Sequence, residues 1–259
     1  MSTFLGIDVG TSAVKAVVVA EDGRVLDQAS APLDVSRPQP LWSEQDPDDW
    51  WRATDAAVRT LAARGATADV AAVGLSGQMH GATLLDAELR PVRPAILWND
   101  GRSAAECARL EAAQPESRRI TGNLAMAGFT APKLLWVRAH EPERFARTHA
   151  VLLPKDYVRL VMTGELATDC SDASGTLWLD VAKRRWSEAM LDACALPVAA
   201  MPSLHEGTAE TGRLRANVAE AWGMRRVPVA AGAGDQAAGA AGAGVVAPGA
   251  ASLSLGTSG

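Results

Sequence analysis

Residues 4–15 read Phe-Leu-Gly-Ile-Asp-Val-Gly-Thr-Ser-Ala-Val-Lys. Leu5, Ile7 and Val9 recur with period two, which predicts a strand with one buried face. Asp8 sits inside that strand, and a carboxylate at the end of a buried strand is costly unless something pairs with it. Gly10 then lets the chain turn tightly, and Thr11 and Ser12 offer hydroxyls and backbone N–H groups. That combination suits a phosphate held by a loop and a metal ion held by the aspartate. The same residues also suit a plain β-hairpin with a solvated aspartate, and the surrounding chain has to decide between the two.

Working outward, residues 14–20 form a second strand, Glu21-Asp22-Gly23 a tight turn, and residues 24–31 a third strand. The loop therefore joins antiparallel strands, unlike the strand-loop-helix of a dinucleotide fingerprint, and no GxxxxGK[ST] occurs. Residues 32–45 are irregular and Pro-rich. Asp46-Pro47-Asp48-Asp49 opens a helix that runs to about Arg64, with Gly65 ending it. Residues 70–76 are almost continuously apolar, as a central strand is. They end in Gly77-Gln78-Met79-His80-Gly81, where two glycines bracket three side chains able to reach a ligand. Residues 82–85 resume the sheet. Residues 95–98 make another short strand, followed by Asn99-Asp100-Gly101-Arg102 and a helix to about Ala113. Two strand ends carrying polar clusters are the usual site-forming loops of α/β sheets.

Residues 116–195 are mainly helical, with helices near 132–139, 141–147, 155–162 and 187–194, strands near 150–153 and 176–180, and a polar loop over 164–175. An edge strand is expected over 209–214 and a short helix over 217–222. Residues 227–231 form a strand entering Gly232-Ala233-Gly234-Asp235-Gln236. The Ala/Gly stretch 237–244 reads as a helix packed very close to a neighbour, with a low-complexity linker as the alternative. A last strand is expected over 250–255, followed by Gly256, Thr257, Ser258 and Gly259.

The chain has 259 residues and a net charge of −5 without a basic block, which argues against nucleic-acid and acidic-membrane partners. Cys107, Cys170 and Cys194 lack metal-ligand spacing and suit reduced thiols in a cytoplasm. The N-terminus enters a strand at once, without a secretory pattern. No charge-free apolar run reaches the ~18–20 residues of a spanning helix.

The decisive feature is a repeat. Asp8-Val9-Gly10-Thr11-Ser12-Ala13 matches Ser254-Leu255-Gly256-Thr257-Ser258-Gly259: twice an apolar strand runs into Gly-Thr-Ser and a small residue. Such self-similarity at wide separation suggests duplicated domains facing a shared ligand. Duplicated loops of this kind resemble the actin-like, ribonuclease-H-like ATPases. Residues 41–47 (Leu-Trp-Ser-Glu-Gln-Asp-Pro), 77–81, 96–102 (Ile-Leu-Trp-Asn-Asp-Gly-Arg), 153–157 (Leu-Pro-Lys-Asp-Tyr) and Gly234-Asp235 resemble the FGGY carbohydrate kinases, and among them the xylulokinases. The likeness runs through the whole chain but covers only about the first half of that family's length.

The resemblance implies an α/β fold, a mixed central sheet flanked by helices, with residues 1–243 as a sugar-binding domain and 244–259 as the start of a truncated ATP-binding domain. It implies transfer of the ATP γ-phosphoryl group to the 5-hydroxyl of D-xylulose, with Mg²⁺, in a cytoplasmic enzyme of a family that often dimerises. Asp235 is the expected general base, kept ionised by the helix dipole lowering its pKa. Asp8 is the expected Mg²⁺ residue, with Asp235 beside the same metal. Gly10, Thr11, Ser12 and Lys15, with Gly256, Thr257, Ser258 and Gly259 facing them, are expected at the phosphates. Gln78, Met79, His80, Trp98, Asp100 and Gln236 are expected at the sugar, although an Asp-Gly turn also explains Asp100. The remaining tryptophans read as packing. The alternatives are a kinase of another pentulose or polyol, or a sugar-binding module without kinase activity of its own.

Overall fold

The computed structural model describes residues 2–253. The opening strand β1 (Thr3–Val9) pairs antiparallel with β2 (Ala13–Ala20), which pairs antiparallel with β3 (Val25–Pro32). A two-residue strand β4 (Glu44–Gln45) interrupts the irregular segment that follows. Helix α1 (Pro47–Ala63) starts where the acidic cluster predicts it, with the Asp46 side chain accepting from the Asp48 N–H at 3.0 Å. Gly65 beyond its end has φ +75°, in the left-handed region that favours glycine. Strand β5 (Val70–Gly77) lies parallel to β1.

These strands belong to one seven-stranded mixed sheet. Its order is Glu210–Arg213, Pro228–Ala230, β5, β1, β2, β3, with Ala233–Gly234 pairing parallel to the end of β5. The period-two pattern buries Leu5, Ile7 and Val9 on one face. There they join Trp50, Ala57, Val58 and Leu61 of α1, and Tyr157 and Val158 of the helix Pro154–Thr163, in the main core. The opposite face carries Gly6, Asp8, Lys15, Gly74 and Ser76 and opens onto a cleft of about 1440 Å³. A second core, around Leu84, Ile96, Trp136, Trp178 and Leu191, holds the largely helical segment together.

Several expectations need correction. Thr83–Leu85 does not resume the central sheet; it pairs with Ala150–Leu152, and Ala95–Ile96 pairs with β4. Residues 164–175 are not simply a loop. They contain the strand Ala167–Asp169, paired with Ser203–His205, and the short helix Cys170–Ala173. Polar residues hid these elements because their carboxylates are buried in ion pairs. The expected strand over 176–180 shrinks to Leu179–Asp180 behind a 3₁₀ turn at Ser174–Thr176. The Ala/Gly stretch is a helix, Asp235–Gly242, but no residue of it is buried. Small side chains permit close approach without requiring it, and here Ala238, Ala241 and Gly242 line the cleft. Residues 250–253 are not in a strand. The remainder of that expected strand, and Gly256, Thr257, Ser258 and Gly259, lie outside the described residues.

The tryptophans read as packing do pack. The indole N–H of Trp50 donates to Gln45, that of Trp222 to Asp55 and that of Trp186 to the Pro202 carbonyl. Arg102 lies over the Trp42 ring, 3.6 Å from its centre. The cysteines are free thiols, and no helix among the described residues is long and apolar enough to cross a membrane.

Candidate active site

The row of the sheet that contains Asp8 sets the geometry. Asp8 lies opposite Lys15 on β2 and Ser76 on β5; Lys15 is opposite Ser30, and Ser76 opposite Ala233. Directly paired residues share a sheet face, and all five line the open cleft. Asp8 Oδ1 accepts the Ser76 hydroxyl at 3.1 Å.

Asp235 begins the helix beyond the neighbouring strand end. Burial pushes its carboxyl above the ordinary value, the Gln236 amide on Oδ1 (2.7 Å) opposes this, and the Asp8 charge adds to the rise. The expected lowering by the helix dipole is therefore overturned: loss of solvent and a like charge outweigh the N-terminus of an eight-residue helix. Among the described residues no three His, Cys, Asp or Glu side chains converge as a metal cluster. A cation drawn in by Asp8 and Asp235 would rest on two carboxylates and on non-protein oxygens.

The turn after β1 is held from behind. Gly10 is required there, since a Cβ would lie 2.9 Å from the Ala13 carbonyl oxygen. The Thr11 hydroxyl donates to Gln78 Oε1 at 3.1 Å and accepts from the Trp98 indole N–H at 3.0 Å. The Thr11 carbonyl accepts from Gln45 Nε2 at 2.7 Å, and the Gly10 carbonyl from Gln78 Nε2 at 3.2 Å. Gln45 Oε1 accepts from both Gln78 Nε2 and the Trp50 indole, each at 2.9 Å. Gln78, only 2% exposed, thus shapes the loop. Trp98 is half-buried beside it, and Ser12 and Lys15 are exposed.

Met79, the residue before His80, meets Gly234, the residue before Asp235, at the end of β5. A Cβ on Gly234 would stand 2.9 Å from Met79 Sδ. His80 has φ +68° and packs edge-on against Phe129. Its Nδ1 lies 2.9 Å from the Gly175 carbonyl oxygen. A carbonyl only accepts, so Nδ1 carries the proton and Nε2 is left as an acceptor. The ring therefore suits a sugar hydroxyl rather than a ketone oxygen. Its pKa is lowered to about 4, first by burial and then by the Lys133 charge.

This depressed pKa has a consequence for stability. The unfolded His80 takes up a proton below about 6.5 while the folded one does so only near 4. The stabilisation is thus complete above the unfolded value and is lost as pH falls from 6.5 towards 4, on the order of 3 kcal/mol in all. Urea midpoints measured across this range should fall with pH, and His80→Gln should flatten that slope; an equal slope in the variant would refute the assignment.

Asp100 and Gln236 sit differently from expectation. Asp100, 2% exposed, accepts from the Ser43 N–H at 2.6 Å, and from the Arg102 amide (2.9 Å) and guanidinium (2.7–3.0 Å). Arg102 continues to Glu44, which also meets Arg93. Asp100 therefore belongs to a buried ionic network that fixes the strand ends. Gln236 is exposed and offers Asp235 its backbone amide.

Sequence reasoning missed the supports. Lys133 is fully buried, and its ammonium donates to the His80 and Gly128 carbonyls at 2.8 and 2.7 Å. Lys155 is fully buried too, with Nζ 2.6 Å from Asp156, 2.9 Å from Asp169 and 3.0 Å from Asp172. Burial alone would depress this ammonium, but the three carboxylates hold it above its ordinary value. Arg159 donates to the Ala230 carbonyl at 2.7 Å, to the Ala231 carbonyl and to Thr211, fastening the strand that leads to Asp235. Buried lysines look like ordinary helix-surface residues in a sequence, and only the partners distinguish them.

Comparison with known proteins finds relatives along nearly the whole chain. The model of the FGGY family of carbohydrate kinases, N-terminal domain, matches residues 3–242. The xylulose kinase of Escherichia coli (strain K12) is 61% identical over 256 residues, 99% of this chain and 53% of that protein. Among solved structures, a xyloylose kinase from Brucella ovis superposes with a TM-score of 0.93 at 52% identity, over 95% of this chain and 51% of that one. The xylulose kinase from Rhodospirillum rubrum gives 0.91 at 30% identity, over 95% and 52%. The chain spans about half the length of the curated relatives it matches.

Proposed function

Because the chain belongs to the FGGY family of carbohydrate kinases, we propose that it is the sugar-binding half of an ATP-dependent kinase that phosphorylates D-xylulose at its 5-hydroxyl. The observation that carries the reading is the packing of Met79, next to His80, against Gly234, next to Asp235, at the end of β5, with Asp8 close enough for its charge to raise the Asp235 pKa. Relatives named xylulose kinase, similar over almost the whole chain, favour a pentulose over a polyol.

In this reading Asp235 accepts the proton of the sugar hydroxyl as that oxygen attacks phosphorus. Its raised pKa makes it a better proton acceptor than a free carboxylate. His80, neutral with Nε2 free to accept, orients a sugar hydroxyl, and Met79 closes the apolar side of the pocket. In the same reading Gly10, Thr11, Ser12 and Lys15 meet the transferring phosphate, and Gln78, Gln45 and Trp98, which brace the loop, support it. Mg²⁺, when bound, neutralises phosphate charge; Asp8 and Asp235 would hold it, two carboxylates being usual for an ion that keeps much of its water. Residues 1–243 are the sugar domain in this proposal and 244–259 lead into the ATP-binding half. A cytoplasmic location and a homodimer belong to the same proposal.

The test has two arms. Calorimetric titration of D-xylulose into this chain should show saturable binding. Coupled ADP release in a full-length kinase carrying this half, assayed across pentuloses and polyols, should be fastest with D-xylulose. Fastest turnover on a polyol would overturn the substrate assignment, and absence of any sugar-dependent ADP release would overturn the activity.

A further inference from the structure

The segment 169–175 touches both halves of the pocket at once. Its Gly175 carbonyl fixes His80 Nδ1 at 2.9 Å. A Cβ on Gly175 would overlap the His80 ring and lie 3.3 Å from Met79 Cε, so only glycine leaves room for that ring. Two turns of hydrogen bonding away, the Ser171 hydroxyl donates to Asp169 Oδ2 at 2.5 Å and accepts the Gly234 N–H at 3.3 Å. Gly234 immediately precedes Asp235. The segment is in turn anchored in the interior, because Asp169 and Asp172 both pair with the buried Lys155 ammonium. Asp169 also caps the helix Cys170–Ala173 through the Ser171 and Asp172 amides.

Neither end of the pocket holds itself. His80 stands at a positive φ that a non-glycine residue adopts only when its surroundings impose it, and no residue of the Asp235 helix is fully buried. A brace from outside both motifs is what the geometry supplies.

We propose that residues 169–175 are the positioning element of the sugar pocket, with Gly175 setting the His80 ring and Ser171 setting the Gly234-Asp235 backbone. This rests on the sugar-kinase reading for its function but not for its geometry. Shape selectivity follows: the Gly175 site fixes how far His80 Nε2 projects, and hence which sugar hydroxyl it meets.

The experiment is a double-mutant cycle on this chain, read by D-xylulose titration and by NMR. Gly175→Ala should weaken D-xylulose binding at least tenfold and shift the His80 ring resonances. His80→Ala should weaken binding comparably, and Gly175→Ala should add almost nothing in that background, since the displaced ring is gone. Ser171→Ala leaves the ion pairs intact and should speed exchange of the Gly234 amide roughly fivefold, as loss of one hydrogen bond does; Ser171→Thr should restore protection. Fully additive penalties in the cycle, or unchanged Gly234 exchange in Ser171→Ala, would overturn the proposal. If the unmodified chain binds no D-xylulose, the kinase reading fails, and the His80 resonances and Gly234 exchange still decide the positioning role.

Discussion

Replacing Asp235 by alanine in a full-length kinase carrying this half is expected to slow phosphoryl transfer by roughly 10²–10⁴-fold, the usual contribution of a positioned base. The carboxyl is half-buried at the start of a helix with no fully buried residue, next to Gly234 against Met79, and near enough to Asp8 to feel its charge. Alanine removes the proton acceptor and one of two charges that would draw in a cation, and of hydrogen bonds it loses the one from the Gln236 amide. Sugar affinity, set largely by Met79 and His80, should stay within a few-fold of the parent. The pH profile provides a second check. Since burial and the Asp8 charge both raise this pKa, activity should decline with falling pH earlier than an ordinary carboxylate would dictate. Retained turnover in the variant, or loss of sugar binding equal to the loss of turnover, would refute the role of base.

How far the sequence went is best seen at individual residues. The alternation of Leu5, Ile7 and Val9 located β1, and the Asp46-Pro47 signal located the start of α1, because local periodicity and capping need no tertiary partner. Met79-His80 and Gly234-Asp235 were legible as motifs, and the sheet does bring them together. Gln78 and Asp100 show the limit. Both are polar residues at strand ends, where ligand contact and internal bracing look alike in sequence, and here both are engaged internally. The direction of the Asp235 shift escapes the sequence for a related reason: a helix dipole can be read from sequence order, whereas burial and a like charge from another strand cannot. The braces Lys133, Lys155, Ser171 and Gly175 were invisible because their meaning lies in partners 53, 14, 63 and 95 residues distant.

The largest stability effect should come from Lys155. Lys155→Met leaves Asp169 and Asp172 buried without their cation, and breaking a buried ion pair from one side costs about 3–5 kcal/mol. For a chain of this size that lowers the melting temperature by roughly 10 °C. Charge balance makes the prediction specific. The cluster sets two cations, Lys155 and Arg159, against three carboxylates, Asp156, Asp169 and Asp172. Burial, partly offset by Lys155, pushes the Asp172 carboxyl up to about 7, so near neutral pH it shares its proton. With that proton in place two positive charges face two negative ones, and the interior cluster is neutral. Asp172→Asn imitates the protonated form and should cost far less than Lys155→Met at pH 6. The penalty of Lys155→Met should grow as pH rises through 7, because three carboxylates then ionise with only Arg159 to balance them. Denaturant midpoints for the two variants at pH 6 and pH 8 decide the matter. A Lys155→Met chain within 1 kcal/mol of the parent at both values would mean that the cluster relaxes into solvent instead of holding the strand end, and the account of how Gly234 is anchored would fall with it.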